Sequence, residues 1–593
     1  MENMLLYPID SNYIIRKKNM LRKALASNNY DISLKIAILG GSTTSEIKNC
    51  LEIFLLNEGI KVEFYESDYN KYYEDALFSK DLESFSPDVI YIHTNYRNIE
   101  RFPDIYDSDD IVQDLLNHEI DKYTCIWKSL KDKFNCVIIQ NNFEYPKNRI
   151  MGNYDRTAIT GRLNFINRLN EQFSFFARNN SGFYINDINY LSALIGLDKW
   201  EDSVLWYSYK YAISYDSIVL LSKSIANIIK SIYGKNKKCL VLDLDNTLWG
   251  GVIGEDGVEH IRIGNESAEG EAYADFQKYL LQLKKMGVSL AIASKNDEVM
   301  AKEGLDNKNM LLKESDFINI KANWNSKDLS IREIASEINI GLDSIVFVDD
   351  NPAERSLVNG NIDGVSVPDI GDDIIDYIKH IDRNGYFEVT NLSLEDSKRA
   401  EYYEKNKIRE NESKKFLKYE DFLKSLDMIA DIGFAKAEYI DRIVQLINKT
   451  NQFNLTTKRY SISDVENFIK SDNYIVVYGR LKDKYGDNGL VTVVIGKIFK
   501  NELYIDIWLM SCRVLKRDLE KAVFDFIVEY CKNNDIKTIH GCYLKTKKNG
   551  MVEDFYSNLG FTGLFRDDVK SEWLIDVSSI DKNQNNVIKV GEY

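Results

Sequence analysis

Residues Cys239 to Leu242 form a short apolar, β-branched run that stops at Asp243-Leu244-Asp245-Asn246-Thr247. A run of this kind reads as a buried parallel strand. It delivers two carboxylates at its carboxyl end, where open α/β sheets bind ligands. Extended backbone would place Asp243 and Asp245 on one side with Leu244 turned away. Two such acids can share a hard cation, or one can attack phosphorus while the other moves a proton. The arrangement recurs downstream. Val288 to Ala293 is a second apolar run, ending in Ser294-Lys295-Asn296-Asp297. Trp324-Asn325-Ser326-Lys327 opens a helical stretch, and the apolar run Ser344 to Val348 ends in Asp349-Asp350-Asn351-Pro352.

In this order the four segments resemble the motifs of the haloacid dehalogenase (HAD) phosphohydrolases. The resemblance implies that Asp243 is the nucleophile and Asp245 the general acid/base. Ser294 and Lys327 would hold the transferring oxygens, with Thr247 and Asn296 also facing substrate. It implies Mg²⁺ held by Asp243, the backbone carbonyl of Asp245 and Asp349, with Asp350 assisting. Only 51 positions separate Asp243 from Ser294. The glycines and alternation of LWGGVIGEDGVEHIRIG predict a β-hairpin flap there, followed by one helix over Glu269 to Met286, which leaves no room for a cap domain. An open site suits a group carried on something large.

Length and charge bound the alternatives. A chain of 593 residues should hold about three domains. A net charge of −16 argues against a nucleic-acid binder. The seven cysteines are scattered without a CxxC pair, as expected of reduced cytoplasmic thiols. No run reaches the roughly 18 apolar residues of a membrane span, and the N-terminus lacks a signal-peptide layout.

Residues 1–235 alternate strand and helix signals. Strands are expected over Leu34 to Leu39, Val62 to Tyr65, Asp88 to His93 and Asn135 to Gln140, giving an α/β domain with a parallel sheet. The turn Gly40-Gly41-Ser42 resembles the nucleophile turn of SGNH hydrolases, with Asn141-Asn142 as a source of that family's asparagine. A serine nucleophile needs a base. The domain's histidines, His93 and His118, do not follow an Asp three residues earlier, so a degenerate, binding fold is expected. Residues 236–380 form the HAD-like core, and the charged stretch 381–428 reads as a helical connector with a solvated face.

Residues 429–593 read as an α+β unit: helix Ile440 to Lys449, strands Tyr474 to Arg480, Leu490 to Ile495 and Leu503 to Met510, a turn at Lys484 to Gly489, helix Asp518 to Asn533 and strand Thr538 to Leu544. This order resembles the GNAT acyltransferases, although VLKRDLE lacks the glycines with which that family's loop approaches a pyrophosphate.

Together, DLDNTLWGG, ASKND, VFVDDNPAER, LINKTNQFNLTTKRYS, GDNGLV and SCRVL resemble the FkbH-like proteins, a HAD subfamily, over nearly the whole chain. The resemblance implies a multidomain α/β enzyme with an SGNH-like domain, a capless HAD core and a GNAT-like domain. Its implied activity dephosphorylates 1,3-bisphosphoglycerate or a similar acyl phosphate and loads the acyl unit onto an acyl carrier protein in a biosynthetic pathway. Some glyceryl-loading relatives carry a cysteine between the motif acids, where this chain has Leu244. Cys512, beside Arg513, is the candidate acyl thiol, and Cys239 reads as core. Two alternatives stay open: a plain small-molecule phosphatase with structural flanking domains, and a non-enzymatic carrier-protein scaffold.

Overall fold

The computed structural model describes residues 2–26, 30, 32–134, 136–392, 399–546, 548–580 and 583–591. Asn135, the expected start of a strand, and residues 393–398 of the expected connector lie outside the described residues. Internal contacts divide the chain into a first unit running to Ile232, which also takes Ser461–Asp464, and a second from Tyr233 onward, which also takes Leu6–Pro8. No helix among the described residues is long and apolar enough to cross a membrane.

The first unit is built on five parallel strands: β1 Ile32–Gly40, β2 Ile60–Glu66, β3 Val89–His93, β4 Val137–Asn141 and β5 Phe183–Asn186. Their order is β2-β1-β3-β4-β5. β3 and β4 are buried along their whole length, as expected of parallel strands covered on both faces. Strand order reverses between β1 and β3, so their carboxyl ends flank the crevice where a doubly wound sheet accepts ligands.

The second unit carries two sheets. Four parallel strands, β6 Cys239–Leu242, β7 Ser289–Ser294, β8 Asn319–Ala322 and β9 Ile345–Val348, run in the order β8-β7-β6-β9. Alternate residues of β6 feed opposite cores. Leu240 and Leu242 pack with Phe276 and Leu280 of the helix Ala268–Lys285, while Cys239 and Val241 pack with Ile331 and Ile334 of the helix Lys327–Glu337. Leu242 stands in register with both Ile292 and Val348. That register brings the residues after β6, β7 and β9 to one sheet end.

The third sheet contains β10 Ile429–Phe434, β11 Tyr474–Asp483, β12 Gly486–Phe499, β13 Glu502–Met510, β14 Thr538–Leu544, β15 Thr562–Arg566, β16 Lys570–Asp576 and β17 Lys589–Val590. The order is β15-β16-β14-β13-β12-β11-β10-β17. β12 begins at Gly486, earlier than expected, because the hairpin turns on Lys484-Tyr485 alone. β13 and β14 run parallel but pair only over Glu502–Tyr504 and Thr538–His540. Beyond those residues the chain's own Phe453–Thr456 segment occupies the gap. Met510 N donates to Phe453 O at 3.0 Å, Leu455 N to Trp508 O at 3.1 Å and Leu544 N to Leu455 O at 2.8 Å. The segment thereby pairs with backbone groups of both strands.

The charged connector is a helix, Arg399–Ser413, but its face is not wholly solvated. Arg409 is buried and donates to Asp483 Oδ1 at 2.8 Å, while Arg517 donates to Asp483 Oδ2 at 2.8 Å. Two buried guanidiniums thus share one fully buried carboxylate. Removing that carboxylate leaves both cations uncompensated, which costs about 3–5 kcal/mol. The Asp483→Asn variant should therefore lose about this much stability in a denaturant titration of the full chain. A loss below about 1 kcal/mol would contradict the pairing.

Candidate active site

β6 and β9 end side by side, and Asp243 N continues their pairing by donating to Val348 O at 3.0 Å. The acids that follow therefore converge. Ligand oxygens of Asp243, Asp349 and Asp350 all lie within 4.8 Å of one another, forming the one such acidic group found among the described residues. Lys327, on the first turn of its helix and almost fully buried, reaches into the group. Its Nζ donates to Asp243 Oδ1 at 2.5 Å and to Ala293 O at 2.7 Å, and lies 3.2 Å from Asp349 Oδ2. This last contact is a charge contact whose angle makes no hydrogen bond, so Asp349 Oδ2 remains a buried oxygen without a donor.

One lysine does not balance three carboxylates. Burial, then the charge of Asp243, raises Asp349 well above the ordinary carboxylate range and Asp350 to about 6. A buried oxygen without a donor beside crowded acids is the environment a hard, oxygen-seeking divalent cation fits.

Asp245 lies outside that group. Its Oδ1 accepts from Trp249 Nε1 at 3.0 Å and Ile253 N at 3.1 Å, and its Oδ2 accepts from Asn296 Nδ2 at 2.9 Å. Three donors fix the position of this side chain, so a cation would use its backbone carbonyl. Asn296 also donates to Ser294 Oγ at 3.2 Å, joining those two side chains to Asp245. Thr247 Oγ1 accepts from Asp350 N at 3.2 Å, tying the β6 loop to the β9 loop.

The loop that carries these residues turns at Asn246, whose φ of +52° lies in the left-handed region. Tyr273 and Tyr377 both donate to Asn246 O, at 3.2 and 3.1 Å, and Gly251 N donates to Asn246 Oδ1 at 2.8 Å. The predicted hairpin flap is reduced to one bridge, between Gly250 and Arg262, closed over a short helix, Ile253–Asp256. It forms no strand pair because that helix spends its amides locally and on Asp245. Trp249, Tyr273 and Tyr377 were not legible as site supports. Trp249 adjoins the motif, but nothing in sequence ties residues 273 and 377 to residue 246.

Cys512 is not brought to the acids. It lines a separate cavity of about 400 Å³ with Lys238, Asn339–Ser344, Arg442 and Lys548. Lys238 and Ser344 precede β6 and β9, so this cavity lies at the amino end of the sheet, roughly 15 Å of strand from the acidic end. The Arg513 guanidinium lies over the Tyr402 ring at 4.3 Å. Cys239 is fully buried, and burial pushes its thiol up to about 12. In the first unit Ser42 and His93 are both buried, Asn141 hydrogen-bonds His93, and Asn142 bonds Asp187 instead.

The model of the FkbH N-terminal domain matches residues 35–230. Among solved structures, the N-terminal part of protein BF1531 from Bacteroides fragilis, described as containing a phosphatase domain complexed with Mg, is 30% identical. The match covers 63% of this chain and 99% of that one, with a TM-score of 0.58. The chain belongs to the FkbH-like family. The enzyme class expected from the motifs, a hydrolase or transferase of the HAD superfamily, stands with it. The ribosomal-protein-S18-alanine N-acetyltransferase of Escherichia coli is 10% identical, covering 27% of this FkbH-like chain and all of its own, with a TM-score of 0.21. No curated protein sequence matches.

Cation binding at this site requires ionised carboxylates, and the raised values of Asp349 and Asp350 mean that protons compete as pH falls. Affinity for titrated Mg²⁺ should therefore rise steeply as pH increases through about 6 to 7 and level off above that. Calorimetric titration at several pH values checks this, and a flat profile would contradict it.

Proposed function

We propose that the chain is a Mg²⁺-dependent phosphohydrolase and acyl-group transferase. Its substrate in this reading is 1,3-bisphosphoglycerate or a similar phosphorylated acyl phosphate, and its acceptor is a phosphopantetheinylated acyl carrier protein. The observation that carries the phosphoryl half is the convergence of Asp243, Asp349, Asp350 and Lys327 at one sheet end. The relative described as a phosphatase domain complexed with Mg supports the same reading.

In this reading Asp243 attacks the phosphorus of the phosphate ester, and Asp245, fixed by its three donors, protonates the departing alkoxide. Asp245 then takes a proton from the water that hydrolyses the aspartyl phosphate. Lys327 and Ser294 hold the transferring oxygens. Asp243, Asp349, Asp350 and the carbonyl of Asp245 are the groups that would hold Mg²⁺. Bound there, the ion neutralises charge on the phosphoryl group.

The acyl half needs separate chemistry. Cleaving the acyl phosphate at Asp243 would leave a free carboxylate without the energy to form a thioester. The acyl carbon must instead be attacked by a thiolate, expelling inorganic phosphate. Position 244 holds a buried leucine, Cys239 is locked in the core and Cys512 lies at the other end of the sheet. The thiol is therefore assigned to the carrier. The same observations favour the second reading, a plain phosphatase.

Asp243→Asn should lower phosphate release by about a thousandfold or more while the protein stays folded. Unchanged turnover would overturn the assignment. Intact-protein mass spectra of the carrier, after incubation with enzyme, Mg²⁺ and 1,3-bisphosphoglycerate, separate the two readings. A glyceryl adduct supports transfer, and phosphate release without an adduct supports the plain phosphatase.

A further inference from the structure

The cavity that Cys512 lines takes no part in the phosphoryl chemistry, and its charge is unlike that of the chain around it. Five of its lining residues are cationic: Lys238, Arg442, Lys449, Arg513 and Lys548. Among the described lining residues, Asp343 is the one carboxylate. In a chain whose net charge is −16, that excess of cations is a local arrangement rather than a sample of the composition. All five are half-buried, so their mutual repulsion is screened less than it would be on an open surface.

The cations come from four places in the second unit. Lys238 directly precedes β6, and its N–H donates to Ser344 O at 2.7 Å, which sets it beside the turn before β9. Arg442 and Lys449 stand on the helix Ile440–Lys449, seven residues apart and so on one face. Arg513 follows β13, and Lys548 follows β14. Local contacts hold several of them in position. Arg442 donates to Gln445 Oε1, one turn on and also in the lining. The Arg513 guanidinium lies over the Tyr402 ring, and Lys548 pairs with Asp343. The side chains of that pair are 30% and 43% exposed, so solvent, and an anion carried in it, can reach them. Burial would raise the Asp343 carboxyl, but Lys548, Lys237 and Lys238 hold it below the ordinary carboxylate range. The potential around it is therefore positive.

Size and charge set the class of occupant. A volume of about 400 Å³ is that of a small-molecule site rather than of a macromolecular groove. The two guanidiniums offer planar forks that match phosphate oxygens, and the three ammoniums add point charges. Five cations against one carboxylate leave four positive charges, more than a single carboxylate or phosphate would neutralise. Each phosphate monoester brings about 1.5–2 negative charges, so two of them match the excess. The lining ends at Arg513 on this segment. Residues 514–520, where a GNAT-like loop would approach a pyrophosphate, are not part of it.

We propose that this cavity is a second ligand site, which holds a small, freely diffusing compound bearing two phosphate groups. The site lies at the amino end of the parallel sheet, and the proposal rests on no part of the phosphatase reading.

Calorimetric titration of the full chain with 2,3-bisphosphoglycerate in EDTA tests it, with sodium acetate at matched ionic strength as the singly charged control. The bisphosphate should bind one to one, and acetate should not compete. Lys449→Gln should weaken binding about five- to tenfold, and Lys449→Arg should restore most of it. Asp343→Asn, which removes the one carboxylate, should tighten binding by about threefold. Circular dichroism serves as the folding control for each variant. Iodoacetamide labelling read by peptide mass spectrometry locates the ligand, which should slow alkylation of Cys512 and leave the exposed Cys125 unchanged. Four results would overturn the proposal: no binding; acetate binding equally well; affinity indifferent to both Lys449→Gln and Asp343→Asn; or binding that leaves the labelling of Cys512 unchanged, which would place the ligand elsewhere.

Discussion

The buried ammonium of Lys327 among three carboxylates is the interaction on which the acidic site of the second unit depends. A charge placed that deep is tolerated only where opposite charge meets it at short range. Here Asp243 meets it at 2.5 Å, and the Ala293 carbonyl takes a second donor. The sheet register makes this possible, because Leu242 aligned with Ile292 and Val348 brings three strand ends to one edge. Burial, together with the negative charge that the lysine leaves uncompensated, raises Asp349 and Asp350 and gives the site the character that a hard cation fits. The electrostatics of the site follow from that one convergence.

Much of this was legible in sequence, for a physical reason. A parallel strand buried on both faces must be apolar throughout, and a polar residue at its end is conspicuous. Cys239–Leu242 was therefore read to the residue, and Asp243, Ser294, Lys327 and Asp349 stood out as a set. Edge strands carry no such signal. β15 is exposed along its length and β17 spans two residues, and both went unseen. β5 was missed because Phe183–Asn186 is short and only its ends are buried. The supports of Asp245 were hidden differently. Ile253 contributes a backbone amide, and Tyr273 and Tyr377 meet Asn246 only through tertiary packing.

The flanking sheets show where a motif-level reading stops. No element is assigned in sequence to Phe453–Thr456, yet the segment bridges β13 and β14 with backbone hydrogen bonds. Arg409 belongs to a stretch whose composition is that of a solvated helix, yet it is buried on Asp483. In both cases a long-range partner outweighs local composition. Cys512 is the converse case: its sequence neighbourhood invited a catalytic reading, and the sheet places it at the wrong end.

The central claim, that Asp243 is the nucleophile of a phosphoryl transfer, is tested most directly by acid-quenching the enzyme during turnover and mapping covalent phosphate by peptide mass spectrometry. The account predicts a phosphoryl adduct on the peptide containing Asp243, present with Mg²⁺ and substrate and absent without either. An adduct on another residue would contradict it, as would turnover that never labels the protein.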